Sequence, residues 1–222
     1  AMDRLYSRFV RPGDLVFDIG AHVGDRVASF RRLGAQVVAA EPQPAAARVL
    51  RLLYGRSRGV VIEPVAVGRA AGTIDMMINP DNPTVSTASS EMVTAARDAP
   101  GWETQRWSRA IRVPITTLDL LMARHGVPTF IKIDVEGFEH EVLLGLSRTV
   151  NAMSFEFTTI QRGVALACVE RCVALGFKHF NAALGESQAL VHSDWVAGDD
   201  ITAWIAALPH SANSGDIYVS LA

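Results

Sequence analysis

The fold is indicated most clearly by the stretch VFDIGAHVGD, residues 16–25. The apolar run from Leu15 to Ile19 ends at Gly20, and Gly24 precedes a stretch with helical periodicity. A strand that passes through a glycine turn into a helix is the opening unit of a parallel α/β sheet. We expect Gly20 to allow a tight turn and the close approach of a ligand, and Gly24 to allow the helix to pack near the strand.

The same alternation of short apolar runs and helical stretches continues along the chain. The predicted strands are Leu15 to Ile19, Gln36 to Ala40, Val60 to Val67, Ile111 to Ile115, Phe130 to Asp134, Ala152 to Phe157 and Ile217 to Leu221, with Thr73 to Ile78 extended beside the third. The predicted helices are Asp25 to Leu33, Pro44 to Leu53, Thr117 to Arg124, Phe138 to Leu144 and Val164 to Leu175. This pattern predicts one α/β domain, residues 1–222, with a parallel sheet covered on both faces.

One long segment, Asn79 to Arg109, lacks this periodicity and is rich in Pro, Ser, Thr and Asn. Long loops in compact domains are usually functional or disordered. Because the segment carries Trp102 and Trp107, we expect residues 79–110 to form a lid over a substrate. A plain disordered insertion is the alternative.

Composition excludes several classes of protein. The 222 residues include 21 basic and 23 acidic side chains, and this near-balance argues against a general nucleic-acid binder. A hydrophobic content of 49% is sufficient for a sizeable core. The only cysteines, Cys168 and Cys172, are spaced for one face of a helix core. With no membrane-spanning run, and no signal-peptide core in Ala1 to Val10, we expect a soluble cytoplasmic protein.

Two acidic residues lie at the carboxyl ends of the first two predicted strands. Asp18 precedes the glycine turn, and Glu41, at the end of the second strand, is placed to accept hydrogen bonds from both hydroxyls of a ribose. A dinucleotide-binding turn has a middle glycine that makes room for a pyrophosphate, whereas Ala21 and His22 occupy this region here. Asp18 would also repel phosphates and suit a cationic or amino-bearing ligand. The pattern therefore indicates nucleoside binding without a pyrophosphate.

A second acidic group follows the strand Phe130 to Asp134. Asp134 ends this strand, Glu136 lies in the next turn, and Glu139 begins a helix. Ligands of open α/β sheets bind outside the carboxyl ends of the strands, so we expect Asp134 in the same crevice as Gly20. For Glu139 and Glu141, a solvated helix-capping role is the alternative.

Five motifs, in order from Leu15 to Leu146, resemble the FkbM-type methyltransferases. They are Asp18-Ile-Gly-Ala-His-Val-Gly24, Glu41-Pro42, Pro64-Val-Ala-Val-Gly68, Thr117-Leu-Asp119 and Lys132-Ile-Asp-Val-Glu-Gly137 with Glu139. The resemblance implies a Rossmann-like class I methyltransferase fold, with a mostly parallel seven-stranded sheet, helices on both faces and an antiparallel final strand. It also implies S-adenosylmethionine as cofactor and methyl transfer to a hydroxyl oxygen.

The resemblance also implies a set of cofactor-binding residues. Gly20 and Ala21 would lie along the methionine part, Glu41 would hold the ribose and Ala66 would border the adenine. The stretch Thr84 to Ser89 would lie near the cofactor or the acceptor. The full expected set is Asp18, Gly20, Ala21, His22, Gly24, Glu41, Pro42, Ala66, Ser86 and Asp134.

Methylation of a hydroxyl requires removal of its proton, by a general base or with the help of a metal. The catalytic candidates are Asp134, Glu136, His140 and Glu156. Asp134, Glu136 and Glu156 also offer the oxygen ligands that Mg²⁺ prefers. A carboxylate–histidine base would perform the same task, so both routes stay open.

The predicted function is therefore S-adenosylmethionine-dependent O-methylation of a small-molecule or sugar-containing metabolite. The alternatives are an NAD(P)-dependent oxidoreductase and a non-catalytic nucleoside-binding protein. We expect a small-molecule hydroxyl acceptor as partner, no nucleic acid and no membrane, with the oligomeric state open.

Overall fold

The computed structural model describes residues 1–221 and contains two sheets surrounded by helices. The strands are β1 (Leu15–Ile19), β2 (Gln36–Ala40), β3 (Val60–Glu63), β4 (Ala66–Val67), β5 (Gly72–Ile78), β6 (Arg109–Thr116), β7 (Phe130–Ile133), β8 (Ala152–Thr158), β9 (His179–Leu184) and β10 (Ser214–Ser220). The helices are α1 (Met2–Tyr6), α2 (Asp25–Arg32), α3 (Pro44–Tyr54), α4 (Ser90–Arg97), α5 (Leu118–His125), α6 (Glu139–Leu144), α7 (Arg162–Ala174) and α8 (Gly198–Ala207). None of the helices in the described part is long and apolar enough to cross a membrane.

The main sheet has seven strands in the order β3-β2-β1-β7-β8-β10-β9. The neighbours from β3 to β8 run parallel, whereas β10 pairs antiparallel with both β8 and β9. Buried apolar side chains cover both faces, as parallel strands require. The predicted Rossmann-like α/β fold and the antiparallel final strand are confirmed.

The membership of the sheet differs from the prediction in one strand. The predicted strand Ile111 to Ile115 belongs to β6, which lies in a separate three-stranded sheet of order β4-β6-β5. The seventh position is taken by β9, which the sequence analysis missed. Asn and Ala are unfavourable in strands, but Asn181 of β9 is buried and its side chain is hydrogen-bonded to the backbone of His192.

The predicted third strand, Val60 to Val67, is in fact two strands in different sheets. β3 pairs with β2, whereas β4 pairs with β6. Pro64 stands between them and has no N–H to donate to a strand ladder. The extended stretch predicted beside this strand, within β5, pairs instead with β6.

The expectation of an irregular segment from Asn79 to Arg109 is corrected, because the segment contains α4 and a core of its own. Ser89 caps α4 by accepting a hydrogen bond from the Met92 N–H at 3.0 Å. The small core, called here the α4 cluster, consists of Val85, Met92, Ala96, Ala99 and Trp102, with Trp107 and Ile160 against it. The two tryptophans therefore pack within the α4 cluster.

The core of the main sheet includes the two cysteines. Cys168 and Cys172 lie on the buried face of α7 as free thiols. Their expected place in a helix core is confirmed.

The glycines of the first turn make room for other parts of the protein, and Gly24 makes room for α3 rather than for β1. Gly20 has a φ of +86°, and a Cβ there would collide with the backbone carbonyl oxygen of Asp134. A Cβ on Gly24 would lie 2.8 Å from the Tyr54 ring and 2.9 Å from Leu50, both in α3. Gly20 thus brings the end of β1 against the end of β7, and Gly24 admits α3.

We expect Gly20→Ala to destabilise the protein much more than Gly13→Ala does. Both glycines have a left-handed φ, +86° and +91°, but nothing lies within 4 Å of a Cβ on Gly13. The left-handed conformation alone should cost about 1–2 kcal/mol at either position. The collision with Asp134 should add about 1–3 kcal/mol at Gly20. Denaturant unfolding of both variants measures this difference, and equal losses would contradict the close contact.

Candidate active site

A cavity of about 390 Å³ opens at the carboxyl ends of β1, β2 and β7. All ten residues expected to bind the cofactor line this one cavity: Asp18, Gly20, Ala21, His22, Gly24, Glu41, Pro42, Ala66, Ser86 and Asp134. Glu136 and Glu156 line it as well, whereas His140 does not. The geometry therefore gathers every predicted site residue except His140.

The glycine turn that forms one wall is fixed to the end of β2. The N–H groups of Gly20 and Ala21 both donate to the carbonyl of Ala40, at 2.9 and 3.1 Å. His22 has a φ of 45°, a left-handed conformation that non-glycine residues adopt infrequently. This conformation accompanies a hydrogen bond from the His22 N–H to Glu41 at 2.8 Å.

Glu41 is a buried carboxylate with acceptor capacity to spare. One of its oxygens accepts the His22 N–H at 2.8 Å, and the other accepts the Gln43 N–H at 2.7 Å. Burial raises the pKa of Glu41 to about 7, against the opposing effect of these two hydrogen bonds. Because a carboxylate has about four lone-pair sites, each oxygen can accept one further donor from a ligand.

The acidic turn after β7, residues 134–137, is held from two sides. Glu139 Oε1 accepts the N–H groups of Val135 and Gly137, at 3.0 and 3.2 Å. From the other side, the Thr87 hydroxyl donates to the Glu136 carbonyl at 2.7 Å. Glu136 itself has a left-handed φ of 56°. The sequence left open a solvated capping role for Glu139, but its side chain is buried. Burial raises the pKa of Glu139 to about 7.

Beneath this turn lies the ammonium group of Lys132, which is fully buried. Its Nζ is 2.7 Å from Asp216 Oδ1 and 3.2 Å from Asp134 Oδ2, and it also donates to the Ile133 carbonyl at 3.2 Å. Burial alone would lower the pKa of Lys132, but Asp134 and Asp216 hold it well above the usual range. Sequence analysis had assigned no role to Lys132 or Asp216.

The three carboxyl groups above Lys132 differ in how readily they ionise. Oxygens of Asp134, Glu136 and Glu156 all lie within 4.8 Å of one another. Burial alone would raise the pKa of Asp134, but Lys132 and Arg26 lower it below its usual value. Burial, followed by the neighbouring carboxylates, holds the pKa values of Glu136 and Glu156 well above the usual range. The surroundings therefore favour the ionised form of Asp134 and the protonated forms of Glu136 and Glu156.

Asp18 adds another buried acid to this wall. It is 2% exposed, burial raises its pKa to about 7, and its Oδ2 has no hydrogen-bond partner. The expectation that a cationic or amino-bearing ligand would suit this position stays a prediction.

Several lining residues escaped the sequence analysis, among them Arg26, Gln43, Met76 and Glu186. Arg26 follows Gly24 closely in sequence, so the first turn of the helix was a signal that could have identified it. Glu186 follows β9, and because β9 was not predicted, the place of Glu186 in the cavity could not be predicted either. From the segment 79–110, Thr84, Ser86 and Ala88 line the cavity, whereas Trp102 and Trp107 do not. A lid movement of this segment stays a prediction.

Comparison with known proteins agrees with this geometry. The family profile "Methyltransferase FkbM domain" matches residues 18–205. A curated relative, the hexuronic acid methyltransferase AglP of Haloferax volcanii, is 26% identical over 163 residues, which cover 72% of this chain and 62% of the relative. The chain thus spans about three-fifths of the length of that relative.

Two solved structures are also similar. A TehB-like SAM-dependent methyltransferase from Corynebacterium glutamicum has a TM-score of 0.48 and 12% identity, over 99% of this chain and 86% of the other. A precorrin-6y C5,15-methyltransferase from Geobacter metallireducens has a TM-score of 0.44 and 12% identity, with the same coverage. The family match extends over most of the chain and includes the glycine turn, Glu41 and the acidic turn: this protein belongs to the FkbM methyltransferase family.

Proposed function

We propose that this protein transfers a methyl group from S-adenosylmethionine to a hydroxyl oxygen of a sugar-containing small molecule. The observation that carries the proposal is the cavity at the ends of β1, β2 and β7, where Glu41 keeps acceptor sites free beside the glycine turn. A ribose presents two adjacent hydroxyl donors, which match the two oxygens of one carboxylate. Family membership supports methyl transfer over the oxidoreductase and nucleoside-binding alternatives.

The cavity walls also support the orientation proposed for the cofactor. Glu41 would hold the ribose at the end of β2, and Ala66 of β4 would border the adenine. Asp134 and Asp18 would then lie along the methionine part, where the α-ammonium and sulfonium groups are cationic. Acidic side chains at this end of the cavity stabilise positive charge and disfavour phosphates.

The name of the curated relative supports the proposed acceptor class. It describes a methyltransferase that acts on a hexuronic acid, a sugar that carries a carboxyl group as well as hydroxyl groups, so the name supports the sugar class and leaves the choice of oxygen to the proposal. This chain covers 62% of the length of that relative, so the sugar class is a proposal for this protein.

The protein would have two chemical tasks, which are to align the acceptor oxygen with the methyl group and to remove the proton of the acceptor hydroxyl. S-adenosylmethionine supplies an already activated methyl group when it is bound. Holding an acceptor oxygen in line with that group can contribute up to about 7–11 kcal/mol. Asp134 is the proposed proton acceptor, because Lys132 and Arg26 favour its ionised form, which is free to take a proton; its lowered pKa makes it a weak base, so alignment of the acceptor oxygen must supply most of the rate.

The same three carboxyl groups also support Mg²⁺ as the alternative route to proton removal, in which Asp134 would be a metal ligand and not the base. Their oxygens lie within 4.8 Å of one another, and Glu156 Oε2 is buried without a partner. Hard oxygen ligands of this kind fit a small divalent cation. Such a cation would lower the pKa of an acceptor hydroxyl bound beside it.

Glu41→Gln should weaken the binding of S-adenosylhomocysteine by about 10- to 100-fold. The charge-assisted bonds from the ribose hydroxyls are worth about 1.5–3 kcal/mol, and each 1.4 kcal/mol is about tenfold in affinity. Glu63→Gln is a matched control, because Glu63 ends the neighbouring strand β3 but binds Arg124 and His125 outside the cavity. Titration calorimetry measures both variants. Unchanged affinity in a folded Glu41→Gln protein would argue against the ribose assignment.

Millimolar MgCl₂ should raise the thermal unfolding midpoint of the unmodified protein, because a ligand of the native state stabilises it. Glu156→Gln removes one proposed ligand and should abolish most of that rise. KCl at matched ionic strength serves as the control for screening. A response to MgCl₂ no larger than the response to KCl would rule out the metal and leave a carboxylate as the base.

A further inference from the structure

We propose that Arg26 binds the carboxylate of the ligand in the cavity, namely the α-carboxylate of the methionine part of S-adenosylmethionine. The inference rests on the proposed function and adds a specificity-determining residue to it. The sequence analysis gave Arg26 no role, and it was not among the ten residues expected to bind the cofactor.

Arg26 is placed to reach a ligand rather than solvent. It lies in the first turn of α2, directly after the glycine turn, and its side chain is only 19% exposed. It lines the cavity together with Asp18, Asp134 and Glu186. Its position is therefore beside the wall where the methionine part is proposed to lie.

The charge of the cavity leaves few places for a carboxylate. Seven lining residues are acidic: Asp18, Asp25, Glu41, Asp134, Glu136, Glu156 and Glu186. Within residues 1–221, Arg26 is the only lysine or arginine in the lining. The other nearby cation, Lys132, lies beneath the cavity and already contacts Asp216 and Asp134. A bound carboxylate would meet acidic groups along most of this surface, several of them with raised pKa values, and a permanent positive charge only at Arg26 among the described lining residues.

The guanidinium of Arg26 has donor capacity that the protein does not use. Its Nη2 donates to Glu186 Oε1 at 2.9 Å, but its Nε is buried without a hydrogen-bond partner. Arginine has five N–H donors in a planar fork that matches a carboxylate in bidentate fashion. The Nε has almost no accessible surface even with the cavity empty, so a ligand carboxylate would bind the Nη groups, where charge-assisted hydrogen bonds add affinity.

The present partner of Arg26 is weakly bound. Glu186 lies in the turn after β9, and its side chain is 73% exposed. Exposed ion pairs contribute little to stability, since water solvates the separated groups well. A ligand carboxylate can therefore join or replace Glu186 at the guanidinium with little loss of folding stability.

The test compares S-adenosylmethionine with its decarboxylated analogue, which keeps the sulfonium and amino groups and lacks only the carboxylate. By titration calorimetry, we expect the unmodified protein to prefer the carboxylated ligand by about 10- to 100-fold. Arg26→Gln should lose most of this preference, because it should weaken the binding of S-adenosylmethionine much more than that of the decarboxylated analogue. Arg26→Lys keeps the charge without the fork and should retain part of the preference.

Glu186→Gln is the matched control, because it breaks the same ion pair without removing the guanidinium. If Arg26 acted only by joining α2 to the turn after β9, both variants would lower affinity for the two ligands alike, which would overturn the inference. An unchanged preference in folded Arg26→Gln would also overturn it and would leave an acceptor carboxylate as the partner of Arg26. If the unmodified protein binds neither S-adenosylmethionine nor S-adenosylhomocysteine, the proposed function itself fails, and this inference fails with it.

Discussion

A charge buried within a sheet must find partners, because its removal from water is very unfavourable otherwise. Lys132, in the middle of β7, satisfies this requirement by reaching across β8 to Asp216 of β10 while also contacting Asp134 at the end of its own strand. One ammonium group thus connects the parallel part of the sheet with the antiparallel strand. The ionised state of Asp134 depends on this contact, and so does the difference between Asp134 and the two glutamates beside it.

A steric constraint fixes the two halves of the site relative to each other. The Asp134 N–H donates to the Ile19 carbonyl at 2.9 Å, and the Asp134 carbonyl lies against Gly20, where a side chain would not fit. The glycine turn is fixed in turn to Ala40 and Glu41 at the end of β2. Tight backbone contacts, and not a flexible loop, therefore set the distance between Glu41, the proposed ribose contact, and Asp134, the proposed base.

The segment between β5 and β6 shows how a polar composition can conceal order. Its Pro, Ser, Thr and Asn content indicated an irregular loop, yet Ser89 caps a helix and Trp102 helps to fill the α4 cluster. The segment also holds the acidic turn through the bond from Thr87 to Glu136. Its aromatic residues contribute to its own packing, because a segment of this length needs a core before it can support the wall of a site.

Features that depend on residues near one another in the chain could be predicted from the amino-acid sequence. Hydrophobic periodicity gave β1, β2, β7 and β8 nearly to their bounds, and strand-end position placed Asp18, Glu41 and Asp134 in one crevice, because parallel strands share a carboxyl edge. The three-dimensional structure was needed to show that β6 leaves the main sheet, that β9 joins it, and that His140 lies outside the cavity. It also decided that Lys132 meets Asp216 and that Arg26 meets Glu186. These contacts join residues far apart in the chain, and their energies depend on burial and on distance in space, which no local pattern contains.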